Sequence, residues 1–335
     1  MRVKTYISVF IAISPFAAGW VALFLGAYEL APMQVLRSLA EGIGLLTGLP
    51  DSPERAVVFD IRLPRVLLAA LVGVALSASG VTLQGIFRNP LVDPYILGIS
   101  AGAALGCALS VGFMPDVPVQ FLAFVFGVLA VMLAYTMAKT QGEISRLPLI
   151  LSGIIMSAFF TAMLSIIKFL VDPMKLQSIV FWLMGSFALA DWKLVGIAAI
   201  GIGLGMLPLL LMRWRMNVMS MGEDEAKGLG INVSRDRIIF IAAATLGVSI
   251  AVSVSGIIGW VGLMVPHLIR MIAGPDHKSL LPLSMAGGAT FMIIADTMAR
   301  NLTGYDIPVG IITAIIGAPF FVYLMRKGGT ESWGK

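Results

Sequence analysis

The chain has 335 residues, of which 59% are hydrophobic and only 12% are charged, and its mean hydropathy is +0.96. This composition excludes a soluble globular domain, in which about 25% of residues are charged. The formal net charge of +5 is typical of a membrane protein, in which Lys and Arg accumulate in the cytoplasmic loops. We therefore expect the chain to lie in a lipid bilayer and not to bind nucleic acid.

The hydropathy pattern predicts an all-α, polytopic membrane protein. A hydrocarbon core about 30 Å thick needs about 20 apolar residues per helix, which leaves room for about ten transmembrane helices. They are predicted at residues 6–28, 63–84, 94–113, 118–138, 148–170, 193–212, 238–255, 257–273, 280–298 and 307–325. The apolar segment 179–189 is too short to cross, and we expect it to form a surface or re-entrant helix. We expect one transmembrane domain over residues 1–335.

The basic residues set the predicted orientation. The first apolar run follows Arg2 and Lys4 and is longer than a secretory signal, so it is interpreted as an uncleaved span. With both termini in the cytoplasm, the 23 Lys and Arg residues divide into 15 inside and 8 outside, as the positive-inside rule requires. The single cysteine, Cys107, excludes an internal disulfide.

Two sequence patterns suggest how the spans are arranged. Gly98, Gly102 and Gly106 recur every four residues, which favours close approach of another helix, within the chain or at a subunit interface. The segments that begin at Arg65 and Arg237 resemble each other and start on opposite sides of the membrane. They indicate a possible inverted repeat, although small residues produce such likeness by chance.

The fifth span carries a polar stripe. Ser157, Thr161 and Ser165 lie four residues apart, and Lys168 follows them near the outer boundary. The stripe is typical of a water-accessible pathway. The alternative is that the hydroxyls bond carbonyls of their own helix, and the sequence leaves both interpretations open.

Two inner segments are candidates for contact or gating. Asn89-Pro90 and Asp93-Pro94 frame a tight turn between spans two and three, which suits a gate as well as a plain turn. Residues 213–237 form the longest charged, glycine-punctuated segment, with a short helix-like run at 223–229 that Gly230 closes. We expect this segment to dock a soluble partner.

Signatures of catalysis, metal binding and nucleotide binding are missing from the sequence. His267 and His277 have no Cys or carboxylate at ligand spacing, so we predict a capping or surface role and no metal site. There is no P-loop motif and no cofactor motif. Asp296 is the one acidic residue expected within a span, which is too little for a proton or sodium relay.

Several motifs, in order, carry a resemblance to a known family. They are Arg62-Leu-Pro-Arg65, Gly80, Gln84, Arg88-Asn89-Pro90-Leu91, Asp93-Pro94, Leu97-Gly98, the segment 222–230, Gly259 to Pro266-His267 with Arg270, and Ala295-Asp296 with Arg300. Together they resemble the membrane permease subunit of the iron-chelate and cobalamin ABC importers, the FecCD-like type II importers. The resemblance covers nearly the whole chain.

The resemblance implies partners and roles for particular residues. It implies a homodimer in a prokaryotic cytoplasmic membrane, two cytoplasmic ABC ATPase subunits and one extracytoplasmic substrate-binding protein, with ATP hydrolysis on the partner and none on this chain. Arg62, Arg65 and Arg300 match arginines that dock the binding protein. The cytoplasmic gate matches Asn89, Leu91 and Ser145. The residues that match the ATPase coupling helix are Glu223, Asp224, Glu225 and Lys227 for polar contact, and Ala226, Leu229 and Gly230 for packing.

The substrate is less certain than the family. Relatives move ferric siderophores, haem, cobalamin or oxyanions, and we favour an iron chelate because that class is the broadest, with cobalamin as the alternative. A stand-alone ion-coupled carrier is the rival from another class, and an intramembrane enzyme is a weaker one. The carrier predicts transport without any ATPase, and the enzyme predicts paired catalytic groups that the sequence does not offer.

Overall fold

The computed structural model describes residues 2–26, 28–42, 44–45, 52–139, 146–303 and 305–326, and these residues form helices with short connections. In chain order they are α1 (Arg2–Phe24), α2 (Pro32–Gly42), α3 (Pro53–Arg55), a π-helical segment (Ala56–Arg62), α4 (Leu63–Phe87), a 3-10 helix (Pro94–Leu97), α5 (Ile99–Phe113), α6 (Val119–Ala138), α7 (Arg146–Leu170), α8 (Pro173–Leu183), α9 (Trp192–Leu211), α10 (Arg213–Met221), α11 (Glu223–Gly228), α12 (Val233–Ser255), α13 (Val261–Ala273), α14 (His277–Asn301) and α15 (Val309–Arg326).

The predicted all-α membrane architecture is confirmed. Within the described residues, seven helices are long and apolar enough to cross a membrane, and three shorter apolar helices occupy the other predicted span positions. The shorter ones are Ile99–Phe113, Val261–Ala273 and Val309–Tyr323. We call the end of the bundle where α4 begins the outer end and the end where α4 finishes the inner end, following the predicted topology.

The short apolar helix lies earlier in the chain than the predicted segment 179–189. It is α8, Pro173–Leu183, and it begins there because Asp172 caps it: the Asp172 carboxylate accepts hydrogen bonds from the Met174 and Lys175 amides, both at 3.0 Å. Gly185 follows its end with φ 71°, a conformation that favours glycine. The hydropathy pattern therefore identified the apolar segment, whereas the start of α8 is determined by its N-terminal cap, Asp172.

The centre of the bundle is α4, which packs against α9, α12, α13 and α14. In the apolar 18-residue window of the candidate span Pro53–Phe87, 78% of the residues are buried, and in that of α12 the share is 72%. Gly80 shows how tight this packing is, because a Cβ there would lie 1.9 Å from the carbonyl oxygen of Gly262 in α13. The small residues behind the apparent repeat of α4 and α12 therefore also serve close packing, and an inverted repeat remains a prediction.

The glycine stripe of α5 packs against α6 of the same chain. A Cβ on Gly102 would lie 2.3 Å from the Phe126 carbonyl oxygen, and one on Gly106 would lie 2.3 Å from that of Leu122. These two glycines therefore permit helix contact within the subunit, which is the packing interpretation of the pattern.

The inner segment 213–237 is more helical than the sequence predicted. Its first nine residues form α10, with Met216, Val218 and Met219 buried, and α12 already begins at Val233. The short charged helix was placed correctly, since α11 spans Glu223–Gly228. The segment that the sequence presented as a loop therefore contains a helical hairpin, formed by α10 and α11, that packs against the bundle.

Candidate functional site

The outer end carries a buried cluster of charges around Asp296. Arg65 Nε lies 2.9 Å from Asp296 Oδ1, and Arg65 Nη1 lies 2.9 Å from Asp306 Oδ2. Arg300 Nε is 3.3 Å from Asp296 Oδ2, one helical turn away on α14. The side chains of Arg65, Asp296 and Arg300 are 7%, 1% and 8% exposed. Each buried charge thus has an opposite charge beside it, as burial requires.

Arg62 completes this outer cluster without an acidic partner in the described contacts. It is 3% exposed, and it donates hydrogen bonds to the carbonyl oxygens of Leu23, at 2.8 Å, and Tyr28. Those carbonyls lie at and just beyond the end of α1, where helix carbonyls have no intrahelical donor. The three arginines predicted to dock a binding protein therefore lie together, but their described contacts are within the chain.

The sequence contained part of the signal for this cluster. Asp296 and Arg300 are separated by four residues, the spacing that brings side chains together on a helix. The partnership with Arg65 was missed because it joins residues 231 positions apart. Asp306 was missed because it follows α14 in a short connection.

At the inner end, the turn after α4 is held by its own side chains. Asn89 Oδ1 accepts a hydrogen bond from the Leu91 amide at 2.9 Å, and Leu91 is half exposed. Asp93 Oδ1 accepts from the Tyr95 amide at 2.8 Å, which caps the 3-10 helix. Burial raises the pKa of the Asp93 carboxyl to about 6. Ser145, the other predicted gate residue, lies outside the described residues.

His277 is a buried tether rather than a surface residue. Its backbone amide and its ring Nδ1 both contact Asn217 Oδ1 of α10, each at 2.8 Å. Asn217 also donates to Asp276 Oδ1 at 2.6 Å. The hydrogen bonds from the Lys278 amide and from Asn217 lower the pKa of Asp276. These contacts fasten α10 to the start of α14.

Helix α11, which was predicted to couple to an ATPase, has an inward and an outward face. Asp224, Glu225, Lys227 and Leu229 are exposed, and Leu229 is 60% exposed. Ala226 is fully buried within this chain, so its predicted packing against a partner is not available in this arrangement.

Glu223 also departs from its predicted direction. Its carboxylate contacts Arg146, at 3.2 Å, and Arg237, at 2.6 Å, within the chain. Gly230, with φ 76°, ends the segment in an exposed position, as the sequence indicated.

The polar stripe of α7 lies on a face that is largely uncovered in one chain. Thr161 and Ser165 are exposed and Ser157 is partly buried. Ser165 donates to the Thr161 carbonyl oxygen at 2.9 Å, so for this hydroxyl the back-bonding interpretation applies. Thr161 and Ser157 remain the candidates for lining a pathway.

Among the residues that the structure describes, no group of three or more His, Cys, Asp or Glu side chains is placed to hold a metal ion. The two features with defined geometry are therefore the outer charge cluster and the inner helical hairpin. Neither is an arrangement of nucleophile and base.

Comparison with known proteins identifies the family. The family model of the FecCD transport family matches residues 14–327. The chain belongs to the FecCD transport family. A Helicobacter pylori protein named as a probable iron chelatin transport system permease is 46% identical over 271 residues, which cover 81% of this chain and 82% of the relative. The molybdate import system permease of Haemophilus influenzae is 41% identical over 317 residues, 92% of this chain and 93% of the relative.

A solved structure supports the same fold for this FecCD-family chain. It is an ABC transporter of metal-chelate type in an inward-facing conformation, 38% identical, with a TM-score of 0.85 over 96% of this chain and 99% of the other. The chain is thus a multi-pass membrane permease subunit with the fold of an ABC importer, as the sequence motifs indicated.

Proposed function

We propose that this chain is the translocation subunit of an ABC importer that carries an iron chelate across the cytoplasmic membrane of a prokaryote. Two copies would enclose the pathway, two ATPase subunits would bind at the inner end, and a substrate-binding protein would dock at the outer end. Both termini would lie in the cytoplasm, and ATP hydrolysis would occur on the partner.

The observation that carries the proposal is the construction of the inner hairpin. Most residues of α4 and α12 are buried in the bundle, yet α11 presents Asp224, Glu225, Lys227 and Leu229 outward. A short charged helix held by buried anchors is suited to receive force from a soluble protein. We infer that this hairpin contacts the ATPase, and that rigid-body movement passes through it to the bundle.

The homodimer is supported by the uncovered face of α7. Thr161 and Ser165 lie on that face beside Ile154, which is more than half exposed. A second copy would cover the apolar residue and leave the hydroxyls beside a shared pathway.

Outer docking is proposed through the arginine cluster. Arg62, Arg65 and Arg300 outnumber the carboxylates of Asp296 and Asp306, so the cluster keeps a net positive charge. An acidic binding-protein surface would be attracted to it, and the attraction would weaken with ionic strength. Because the arginines are buried, we infer that docking loosens the contacts of Arg62 and Arg300 with the end of α1.

Two relatives whose names refer to iron-containing compounds favour an iron chelate as the substrate. Besides the iron chelatin relative, a hemin transport permease of Yersinia pestis is 38% identical over 277 residues. The exposed stripe of α7 offers hydroxyl and apolar groups, which suits a bulky chelate with dispersed charge better than a small oxyanion. Molybdate remains the second candidate, since the molybdate relative aligns over more of the chain.

Reconstitution tests the proposal and the substrate together. Vesicles that contain this chain, its ATPase and its binding protein should accumulate a radiolabelled ferric chelate when ATP is inside. Accumulation of labelled molybdate instead would overturn the choice of substrate but keep the importer. Accumulation of either solute by the chain without the ATPase would overturn the importer itself.

A further inference from the structure

Glu223 connects the coupling helix to two membrane spans. It is the first residue of α11, and its Oε1 accepts hydrogen bonds from Arg237 Nη2 at 2.6 Å and from Arg146 Nη2 at 3.2 Å. Arg146 is the first residue of α7, and Arg237 lies near the start of α12. One carboxylate oxygen therefore holds three helices together at the inner end.

The two contacts differ in strength. Arg237 has a side chain that is only 6% exposed, whereas that of Arg146 is 28% exposed. A buried guanidinium is costly unless an opposite charge stays close to it, so the short Glu223–Arg237 contact is the fixed one. The longer and more exposed Glu223–Arg146 contact is the one that movement of α11 can make or break, and each change alters what holds the start of α7.

Helix α7 leads from this contact to the other candidate gating residues. It carries Ser157 and Thr161 on its stripe, and it packs against the 3-10 helix that follows the inner turn. The packing is tight, because a Cβ on Gly153 of α7 would lie 2.2 Å from the Ile96 carbonyl oxygen. A displacement of the start of α7 is therefore passed to the turn that holds Asn89 and Leu91.

We propose that Glu223 is a positioning residue that transmits movement of α11 to α7 through Arg146, with Arg237 as its anchor. The inference rests on the proposed ATPase contact but goes beyond it, because it assigns the transmission to one carboxylate that is paired within the chain. Glu223 thus acts inside the chain, while Asp224, Glu225 and Lys227 face the ATPase.

The test uses the complete transporter in vesicles and compares four permeases with the parent. They are Glu223→Gln, Arg146→Met, the double variant, and Arg235→Met as control. Arg235 lies in α12, outside the α10–α11 hairpin that is proposed to contact the ATPase. It is exposed, lies two residues before Arg237, and has no side-chain ion pair among the described contacts. Two rates are measured in each, chelate uptake and ATP hydrolysis, and their ratio gives the ATP used per chelate transported.

We expect Glu223→Gln and Arg146→Met each to raise the ATP used per chelate at least about fivefold, the lower end of typical coupling between sites. Because both substitutions remove the same Glu223–Arg146 contact, the ATP used per chelate in the double variant should match that of the worse single variant within about twofold. Arg235→Met should behave like the parent. Arg146→Met leaves the buried Glu223–Arg237 contact in place, so it carries the test alone if Glu223→Gln assembles poorly.

Three results would overturn the transmission role. They are an unchanged ratio in Arg146→Met, losses that multiply in the double variant, and an equal effect of Arg235→Met. A merely structural role would lower uptake and hydrolysis together and leave the ratio unchanged. If the parent complex shows no ATP-driven uptake, the proposed function as an importer is wrong. That outcome is distinct from a failure of the Glu223–Arg146 transmission role, which is judged only against an active parent.

Discussion

Arg65 and Asp296 form a buried ion pair between residues 231 positions apart, with Nε to Oδ1 and Oδ2 distances of 2.9 and 3.2 Å. The pair joins the beginning of α4 to the last turns of α14. These two helices pack along each other through the bundle. Ion pairs therefore hold α4 and α14 together at the outer end, whereas close packing of small residues holds them together in the middle of the bundle.

Removing the shared carboxylate should destabilise the fold. Asp296→Asn keeps the side-chain shape but leaves Arg65 and Arg300 without their common charge, and loss of one partner from a buried pair costs about 3–5 kcal/mol. The thermal unfolding midpoint of the purified protein should fall. Asp116→Asn makes the same change at an exposed aspartate that has no ion pair among the described contacts, and this matched control should change stability by no more than about 0.5 kcal/mol. Equal midpoints for the two variants would contradict the structural role of Asp296.

The α5–α6 contact predicts opposite effects at two glycines. Gly106→Ala forces a methyl group toward the Leu122 carbonyl, so the helices must separate, at a cost of about 1–3 kcal/mol. In the part of the chain that the structure describes, a Cβ added to Gly196 of α9 would meet nothing within 4 Å beyond its chain neighbours and its own helix backbone. There alanine should be neutral or stabilising by up to about 1 kcal/mol. Thermal midpoints of both variants check this, and destabilisation by Gly196→Ala as large as by Gly106→Ala would refute the packing assignment.

The inner turn should depend on pH through Asp93. Its pKa is raised from 3.8 to about 6 by burial, so the folded turn binds the proton more tightly than the unfolded chain does. Stability of the turn therefore falls as pH rises from about 4 to about 6 and levels off above that range. Hydrogen exchange of residues 88–97, corrected for intrinsic rates, should show greater protection at the acidic end.

Asp93→Asn provides the control for this pH effect. The amide oxygen can still accept from the Tyr95 amide, but it does not titrate in this range. The variant should show protection that no longer changes between these pH values. A pH dependence that persists in Asp93→Asn would assign the effect to another group.

Docking through the arginine cluster predicts a particular salt dependence. Affinity of the parent for its binding protein should fall as ionic strength rises from about 0.01 M to about 0.15 M, where the screening length drops from about 30 Å to about 8 Å. Arg62→Gln with Arg300→Gln should weaken binding at low salt and flatten that slope. Arg37→Gln changes an exposed arginine of α2 and serves as the control for charge alone. Identical slopes in all three proteins would remove the cluster from the docking surface.

The positions of the helices were predictable, whereas the partners of the charged residues were not. Span positions depend on local hydropathy, which the bilayer imposes on each segment separately. The direction of Glu223 depends on Arg146, which is 77 residues earlier in the chain. The burial of Ala226 likewise depends on how the hairpin meets the bundle. Such contacts arise from tertiary packing, so local sequence patterns could not show the directions of Glu223 and Ala226.

ATP-driven uptake tests the central claim most directly. Vesicles that contain this chain, its ATPase and its substrate-binding protein are loaded with ATP and supplied with a radiolabelled ferric chelate, alongside vesicles that lack only the ATPase. We predict accumulation against the gradient in the complete vesicles and none in those without the ATPase. Accumulation by this chain alone would contradict the conclusion that its energy comes from a separate nucleotide-hydrolysing partner.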